Sequence, residues 1–292
     1  MPKQLLRQSL LVLLLAIQLI ACSQPTNNNS SQQKELQLKK ENTISIASWN
    51  IQNFGKSKDD AELAYIATVI NDFDVVTIQE VSTNFTGAQR VAALADLLNR
   101  KGQKWDYAVS DPTISTEGSS ERYAYLWKTA KLKLKGKAFL DTVTSLLIER
   151  EPYIAHFTTI TGNKTFTLAS IHAVPKKKQP EKELKYLLPL ANNYKAFPLI
   201  IMGDFNLTEA HSVYNPLKKA GFTPVLVNQK TSLKQKCIGT NCLASEYDNL
   251  FLPKQQVTVT EAGVVHFYSH FPTQKEALKI SDHIPIYAKC LF

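Results

Sequence analysis

Long hydrophobic runs, zinc-type cysteine spacings, repeats and linkers are all missing from this chain of 292 residues. Its main apolar stretch, Leu10 to Ile17, is too short to favour a membrane-spanning helix, which needs about 20 residues. There are 4 cysteines, and no Cys or His pair near them has metal-finger spacing, which argues against a zinc site. No internal repeat is evident and no Pro- or Gly-rich linker interrupts Thr43 to Phe292, so a single domain is expected over 43–292. What is present suits a folded protein. Hydrophobic residues make up 44% and charged residues 20%, enough for a sizeable core. The formal net charge of +9 favours anionic partners such as nucleic acid or phosphate headgroups, although a basic surface need bind nothing specific.

Lys3 and Arg7 precede the apolar stretch, which is the layout of a signal peptide over residues 1–21. It ends in Leu19-Ile20-Ala21-Cys22, which resembles the bacterial lipobox, where the cysteine is lipidated. The other reading is an ordinary secretory signal that contains a cysteine. A lipid on Cys22 implies anchorage to a membrane of the cell envelope, facing the periplasm or the outside. Residues 22–42, rich in Asn, Ser and Gln from Ser23 to Gln33, read as a flexible tether. Export implies an oxidising compartment. There Cys237 and Cys242, enclosing Ile-Gly-Thr-Asn, can close a small disulfide loop, or all three remaining cysteines are buried thiols.

Period and punctuation predict strands at Ile44–Trp49, Asp74–Glu80, Trp105–Val109, Arg122–Trp127, Leu132–Phe139, Tyr153–Thr161, Thr165–Ile171, Asn249–Leu252 and Ile284–Lys289. They predict helices at Asp59–Ile70, Gln89–Arg100, Glu181–Tyr194 and Ala210–Ala220, the last ended by Gly221. The run Pro198-Leu199-Ile200-Ile201-Met202 reads as a buried strand, and the mixture points to α/β layering.

Several of these strands end in residues that can do chemistry: Asn50, Gln79-Glu80, His172, and Asp204 with Asn206. Near the C-terminus Ser281-Asp282-His283 precedes an apolar run. Gly203-Asp204-Phe205-Asn206 can be a plain turn or the rim of a metal or phosphate site. Oxygen donors such as Glu80, Asp204, Asn50 and Asn206 suit hard cations, Mg²⁺, Mn²⁺ or Ca²⁺. Two histidines suit a reaction that removes one proton and delivers another, as phosphodiester hydrolysis does. Each imidazole needs an acidic partner, for which Glu121 and Asp248 are candidates.

The ordered set Trp49-Asn50, Gln79-Glu80, His172, Gly203-Asp204-Phe205-Asn206, Tyr247-Asp248 and Ser281-Asp282-His283 resembles the endonuclease/exonuclease/phosphatase superfamily. Ile51-Gln52-Asn53-Phe54-Gly55, Glu121-Arg122-Tyr123 and Arg150-Glu151-Pro152 resemble its deoxyribonuclease I branch. The resemblance implies an α/β fold, a four-layer sandwich of two packed mixed β-sheets flanked by helices. It implies Glu80 as principal metal ligand with Asn50 beside it, and Asp282 as a further metal or His-supporting carboxylate. Asp204 and Asn206 are expected to orient phosphate or water, with Asp204 also a metal candidate. His172 is expected to pair with Glu121, His283 with Asp248, and Arg150 to contact a backbone phosphate. The implied activity is metal-dependent hydrolysis of DNA by a monomer. The same superfamily also offers phospholipase C- or sphingomyelinase-like phosphodiesterases and inositol-phosphate phosphatases. Two departures bear on the choice: Ser82 and Ser119 stand where the branch has a minor-groove arginine and tyrosine. Lys131, Lys133, Lys135 and Lys137 read as a solvated strand edge, and Lys176-Lys177-Lys178 as a contact for a polyanion.

Overall fold

Side chains alternate in direction along an extended strand, so a strand with apolar residues at both parities must be buried on both faces. In the computed structural model, which describes residues 43–115 and 120–292, the first strand behaves this way. Strand β1 (Ile44–Phe54) sends Ile44 and Ile46 into one core and Ala47, Trp49 and Ile51 into another. The expected leader and tether, with Cys22, and Ser119 lie outside the described residues. Those described fall within one unit of the chain, Lys39–Phe292.

The first sheet joins β1 to β2 (Val75–Val81), β3 (Trp105–Val109), β4 (Arg122–Lys128), β14 (Thr258–Val264) and β15 (Ile286–Leu291), in the order β14-β15-β1-β2-β4-β3. The second runs β10-β13-β9-β8-β7-β5. Its strands are β5 (Leu132–Leu134), β7 (Tyr153–Thr159), β8 (Thr165–His172), β9 (Leu199–Asp204), β10 (Phe222–Pro224) and β13 (Asp248–Pro253), with β6 (Phe139–Leu140) also on β7. The pairs β1/β2 and β8/β9 are parallel, and the other pairs are antiparallel. Strands β11 (Leu233–Ile238) and β12 (Asn241–Leu243) form a separate hairpin, closed by the Cys237–Cys242 disulfide. The remaining cysteine among the described residues, Cys290, is buried, and burial pushes its thiol up to about 12.

Helices α1 (Asp60–Ile70) and α2 (Phe85–Asn99) bury Leu63, Ile66, Leu94 and Leu98 against the outer face of the first sheet. Helices α3 (Glu181–Leu184), α4 (Leu187–Asn193) and α5 (Asn215–Lys219) cover the second with Leu184, Leu187, Leu190 and Leu217. Between the sheets lie Tyr123, Tyr125, Tyr153, Phe157, Ile200 and Met202. The layers are therefore helix, sheet, sheet, helix, as the resemblance implied. Tyr125 and Tyr153 stack at 5.1 Å, and full burial of such a ring contributes about 2–3 kcal/mol. Towards one end this core turns polar. Thr77 Oγ1 and Gln79 Nε2 each donate to Ser170 Oγ at 2.8 Å, pinning β2 to β8 across the interface.

Local differences from the sequence reading have local causes. The helix expected at Glu181–Tyr194 breaks at Lys185-Tyr186, because Pro189 has no N–H and its ring opposes the carbonyl four residues back. The helix expected from Ala210 starts only at Asn215, ahead of Pro216, and a 3₁₀ turn (Ser212–Tyr214) replaces its first part. The strand expected over Leu132–Phe139 is split by Gly136, which holds φ 77°. Helix α2 begins before Gln89, because Asn84 Oδ1 accepts the Thr86 N–H and caps it. Strands β10, β11, β12 and β14 and helix α6 (Gln274–Ile280) were not anticipated. No helix among the described residues is long and apolar enough to cross a membrane.

Gly203, next to the end of β9, has φ 140°, and a Cβ there would sit 1.9 Å from the Ile171 carbonyl oxygen. Backbone cannot give way as a side chain tip can. Gly203→Ala is expected to cost about 2–4 kcal/mol in denaturant unfolding and to lower activity by shifting β8 against β9. Wild-type stability in this variant would show that the close approach is dispensable.

Candidate active site

Register alone assembles the centre of the site. Parallel pairing of β8 with β9 sets His172 opposite Asp204, and antiparallel pairing of β9 with β13 sets Asp248 opposite Asp204. Three chemical side chains thus stand in a row at neighbouring strand ends. His283 joins them from the loop after α6, which β1 holds in place. Trp49 Nε1 donates to the His283 carbonyl at 2.7 Å, and Ser281 Oγ donates to the Asn50 carbonyl at 2.7 Å.

Each imidazole has its own carboxylate. His172 Nδ1 lies 2.9 Å from Glu121 Oε2, and His283 Nδ1 lies 2.7 Å from Asp248 Oδ2. These bonds leave both Nε2 atoms facing a common point, each 3.6 Å from Asp204 Oδ2. Asp204 is only 1% exposed. Its Oδ2 accepts from Asn50 Nδ2 at 3.0 Å, and its Oδ1 accepts the Asn206 N–H at 2.8 Å.

The charges follow from this packing. Burial would raise Asp204 and Glu121, but the imidazolium charges beside them hold both below their ordinary values. Arg150 adds to the effect on Glu121. Burial would lower both histidines. Asp248 and Asp204 overcome it at His283, which rises well above the ordinary imidazole value. Glu121 overcomes it at His172, which rises despite the opposing Arg150.

A cleft of about 680 Å³ lies over this group, lined by Glu80, Glu121, Arg150, His172, Asp204, Asn206, Asp282 and His283 among others. Asn50 and Asp248 are buried beneath it. The structure thus gathers into one region every residue expected to be catalytic, phosphate-contacting or metal-ligating. Glu80 reaches the cleft through a bulge, where the β2/β4 register shifts between Ile78 and Val81. It holds φ 62°, a strained conformation for a residue other than glycine, and its N–H donates to Glu121 Oε1 at 3.2 Å.

Buried oxygens test the fit to a cation. Asn50 Oδ1 and Asp282 Oδ1 have no hydrogen-bond partner, which is costly for a buried acceptor. Like the Glu80 carboxylate, they are oxygen donors of the kind that suits a hard ion. Asp204, Asp248 and His283 also bring donor atoms within 4.8 Å of one another, a second group that could hold an ion, and Asp248 Oδ1 is likewise buried without a hydrogen-bond partner.

Arg150 does more than the sequence suggested. Its Nε and Nη2 donate to the His172 and Ala173 carbonyls at 2.9 and 2.7 Å, and its Nη1 donates to Glu121 at 3.0 Å. Of five guanidinium N–H bonds, these contacts use three and leave two on a side chain that lines the cleft. Thr231 and Lys58 are contributors outside the expected set, and Tyr247, part of that set beside Asp248, gains a role. Thr231 Oγ1 donates to Asp248 Oδ2 at 2.6 Å, and no local pattern marks it. Tyr247 stacks on the His283 ring at 6.4 Å, and its place beside Asp248 was the available signal. Lys58 is buried, donates to the Lys279 carbonyl at 2.8 Å, and is lowered by burial against the pull of Glu62, Glu80 and Asp282. His156, His211, His266 and His270 are not among the residues lining the cleft.

Residues 47–283 match the Endonuclease/Exonuclease/phosphatase family. The chain is similar to a deoxyribonuclease of Thioalkalivibrio sp., 27% identical over 264 residues, covering 84% of this chain and 70% of that protein. It is similar to human deoxyribonuclease gamma, 26% identical over 267 residues, covering 82% and 84% of the two chains. A solved protein of the endonuclease/exonuclease/phosphatase family from Bacteroides thetaiotaomicron shares the fold. The TM-score is 0.62 at 16% identity, covering 86% of this chain and 98% of that one.

The signs of these shifts set the pH response of protein kept in chelator. Stability from Asp204 and Glu121 is present above the ordinary carboxylate value and lost as pH falls through their depressed folded values. Stability from His283 is present below the ordinary imidazole value and lost as pH rises through its raised folded value. Urea unfolding across pH should show both limbs, and His283→Gln should flatten the alkaline one. Glu121→Gln should leave Arg150 buried without its counter-charge, costing about 3 kcal/mol. In the same variant His172 should titrate below the ordinary histidine range by NMR, and an unmoved His172 titration would disprove the coupling.

Proposed function

The chain belongs to the endonuclease/exonuclease/phosphatase family, hydrolases of phosphoester bonds, and within it we propose a divalent-metal-dependent endonuclease that cuts DNA with low sequence selectivity. The observation that carries this reading is the pair of His–carboxylate dyads converging on Asp204. Hydrolysis of a phosphodiester needs a water deprotonated on one side of phosphorus and a leaving oxygen protonated on the other. Two imidazoles with free Nε2 atoms can divide these tasks, each held in one tautomer by the carboxylate at its Nδ1. Asp204 lies between them and favours the charged state of whichever histidine carries the proton.

The two remaining Arg150 N–H bonds and the Asn206 amide are suited to hold phosphate oxygens. Asn206 Nδ2 is oriented by the Ala173 carbonyl at 3.0 Å. Glu80, Asn50 and Asp282 would hold Mg²⁺, with Mn²⁺ or Ca²⁺ as alternatives. When bound, such an ion neutralises charge on the phosphate oxygens. The net charge of +9 suits a polyanion held mainly through its phosphates. In this proposal the enzyme acts as a monomer, exported and anchored to the envelope by a lipid on Cys22. The support for the anchor is the sequence Leu19-Ile20-Ala21-Cys22.

One observation favours a second substrate class. Ser82, in place of a groove-reading arginine, lines the cleft and leaves little to grip a duplex. A phospholipase C- or sphingomyelinase-like phosphodiesterase, or an inositol-phosphate phosphatase, would use the same centre.

Purified protein should nick supercoiled plasmid with Mg²⁺ and stop in chelator. His172→Ala and His283→Ala should each lower turnover by about 10²–10⁴ with the fold intact by circular dichroism. Full activity in both would refute the catalytic assignment. Headgroup-labelled phospholipid cut in parallel while plasmid stays intact would move the substrate to lipid.

A further inference from the structure

Four aliphatic side chains stand in water beside the cleft. Leu146 is 93% exposed, Ile114 67%, Val143 51% and Leu147 43%. Val143, Leu146 and Leu147 belong to the β6–β7 connection that leads into Arg150, and Ile114 to the β3–β4 connection that leads into Glu121. Ile114, Leu146 and Leu147 share one open groove of about 260 Å³ with Val174, Lys178 and Lys182. Clustered exposure of this kind marks an interaction surface, whereas single exposed leucines do not.

The exposure is built into both loops. Asp141 is buried beneath the first, where its Oδ2 accepts the Thr144 N–H at 2.6 Å and its Oδ1 accepts the Tyr194 hydroxyl at 2.6 Å. The Glu149 N–H donates to Glu183 at 2.8 Å, and the Ile114 N–H donates to Glu151 at 2.8 Å. Charge completes the pattern. Lys182 is exposed and lines the same groove, and the 3₁₀ turn Lys176–Lys178, which reaches it at Lys178, carries two more exposed lysines, Lys176 and Lys177.

We propose that this patch docks the enzyme on an anionic lipid surface, with the aliphatic side chains entering the headgroup–acyl boundary and the lysines meeting lipid phosphates. A nucleic-acid face offers phosphates but is polar, and gives these exposed aliphatic side chains no apolar layer to enter. A bilayer offers both. Docking would set the rim of the cleft against the membrane, whichever phosphoester the centre cuts.

The test uses the full chain carrying Cys22→Ser, which removes the lipidation site, together with Leu146→Trp. The native residues Trp49, Trp105 and Trp127 are 0%, 3% and 4% exposed, so the introduced indole reports on the patch. Vesicles containing phosphatidylglycerol should shift its emission to the blue, and bromine-labelled acyl chains should quench it. Pure phosphatidylcholine should do so weakly. A control indole at Val227, 62% exposed in the segment after β10, should not respond. Adding Ile114→Ser and Leu147→Ser to the Cys22→Ser chain should lower vesicle partitioning about tenfold. An unshifted indole with anionic vesicles would overturn the proposal. So would a shift with duplex DNA alone, which would assign the patch to the substrate groove. Plasmid nicking by the same preparation separates a failure of docking from a failure of the nuclease reading.

Discussion

The structure depends on one buried carboxylate. Asp204 lies 3.6 Å from the Nε2 atoms of His172 and His283, and accepts from Asn50, which belongs to the other sheet. An isolated charge at this depth would be prohibitive. It persists because its partners converge from four segments: β1, β8, the turn after β9 and the loop after α6. Without that convergence the strand ends would be four unrelated termini. With it, folding and construction of the site are the same event, since the groups that satisfy Asp204 are those available for proton transfer.

Such a centre requires the sheets to meet at a fixed offset, and apolar packing alone defines that offset loosely. The polar end of the inter-sheet core supplies direction. Thr77, Gln79 and Ser170 are fully buried and hydrogen-bonded across the interface. Sliding one sheet by a residue would break those bonds and carry Asn50 away from Asp204. The strained φ of Glu80 belongs to the same economy of position. A regular strand would turn alternate side chains into the core, and the bulge turns this one towards the cleft.

Much of this was legible in the sequence because strands announce themselves by alternation and their ends by an abrupt change to polar residues. Glu80, His172 and Asp204 lie at or next to such ends, whereas β1 runs on past the expected end at Trp49 to Phe54 and holds Asn50 within it, and the His172–Glu121 and His283–Asp248 pairings agree with the resemblance. Less visible were features set by distant chain. Thr231 holds Asp248 in place, yet a threonine in a polar stretch carries no signal of its own. Strand β14 is largely exposed, so its alternation is weak and its place at the sheet edge comes from pairing with β15. The helix expected at Glu181–Tyr194 has the right apolar face, and Pro189 decides where it breaks. The lysines near β5 do lie along an edge strand. Lys133 is exposed, and Lys135 Nζ sits 4.8 Å over the Phe197 ring, which suits a solvated edge better than a track for phosphates.

Arg150 shows how a contact and a positioning role can share one side chain. Its guanidinium bridges the Glu121 carboxylate and the carbonyls of His172 and Ala173, so it braces both members of one dyad. It pulls Glu121 down and opposes the rise of His172, so its charge moderates the very proton that Glu121 stabilises. A lysine could supply the charge but not three donors in one plane. This arginine therefore tempers the basicity that Glu121 confers on His172, while its contacts fix the dyad in place.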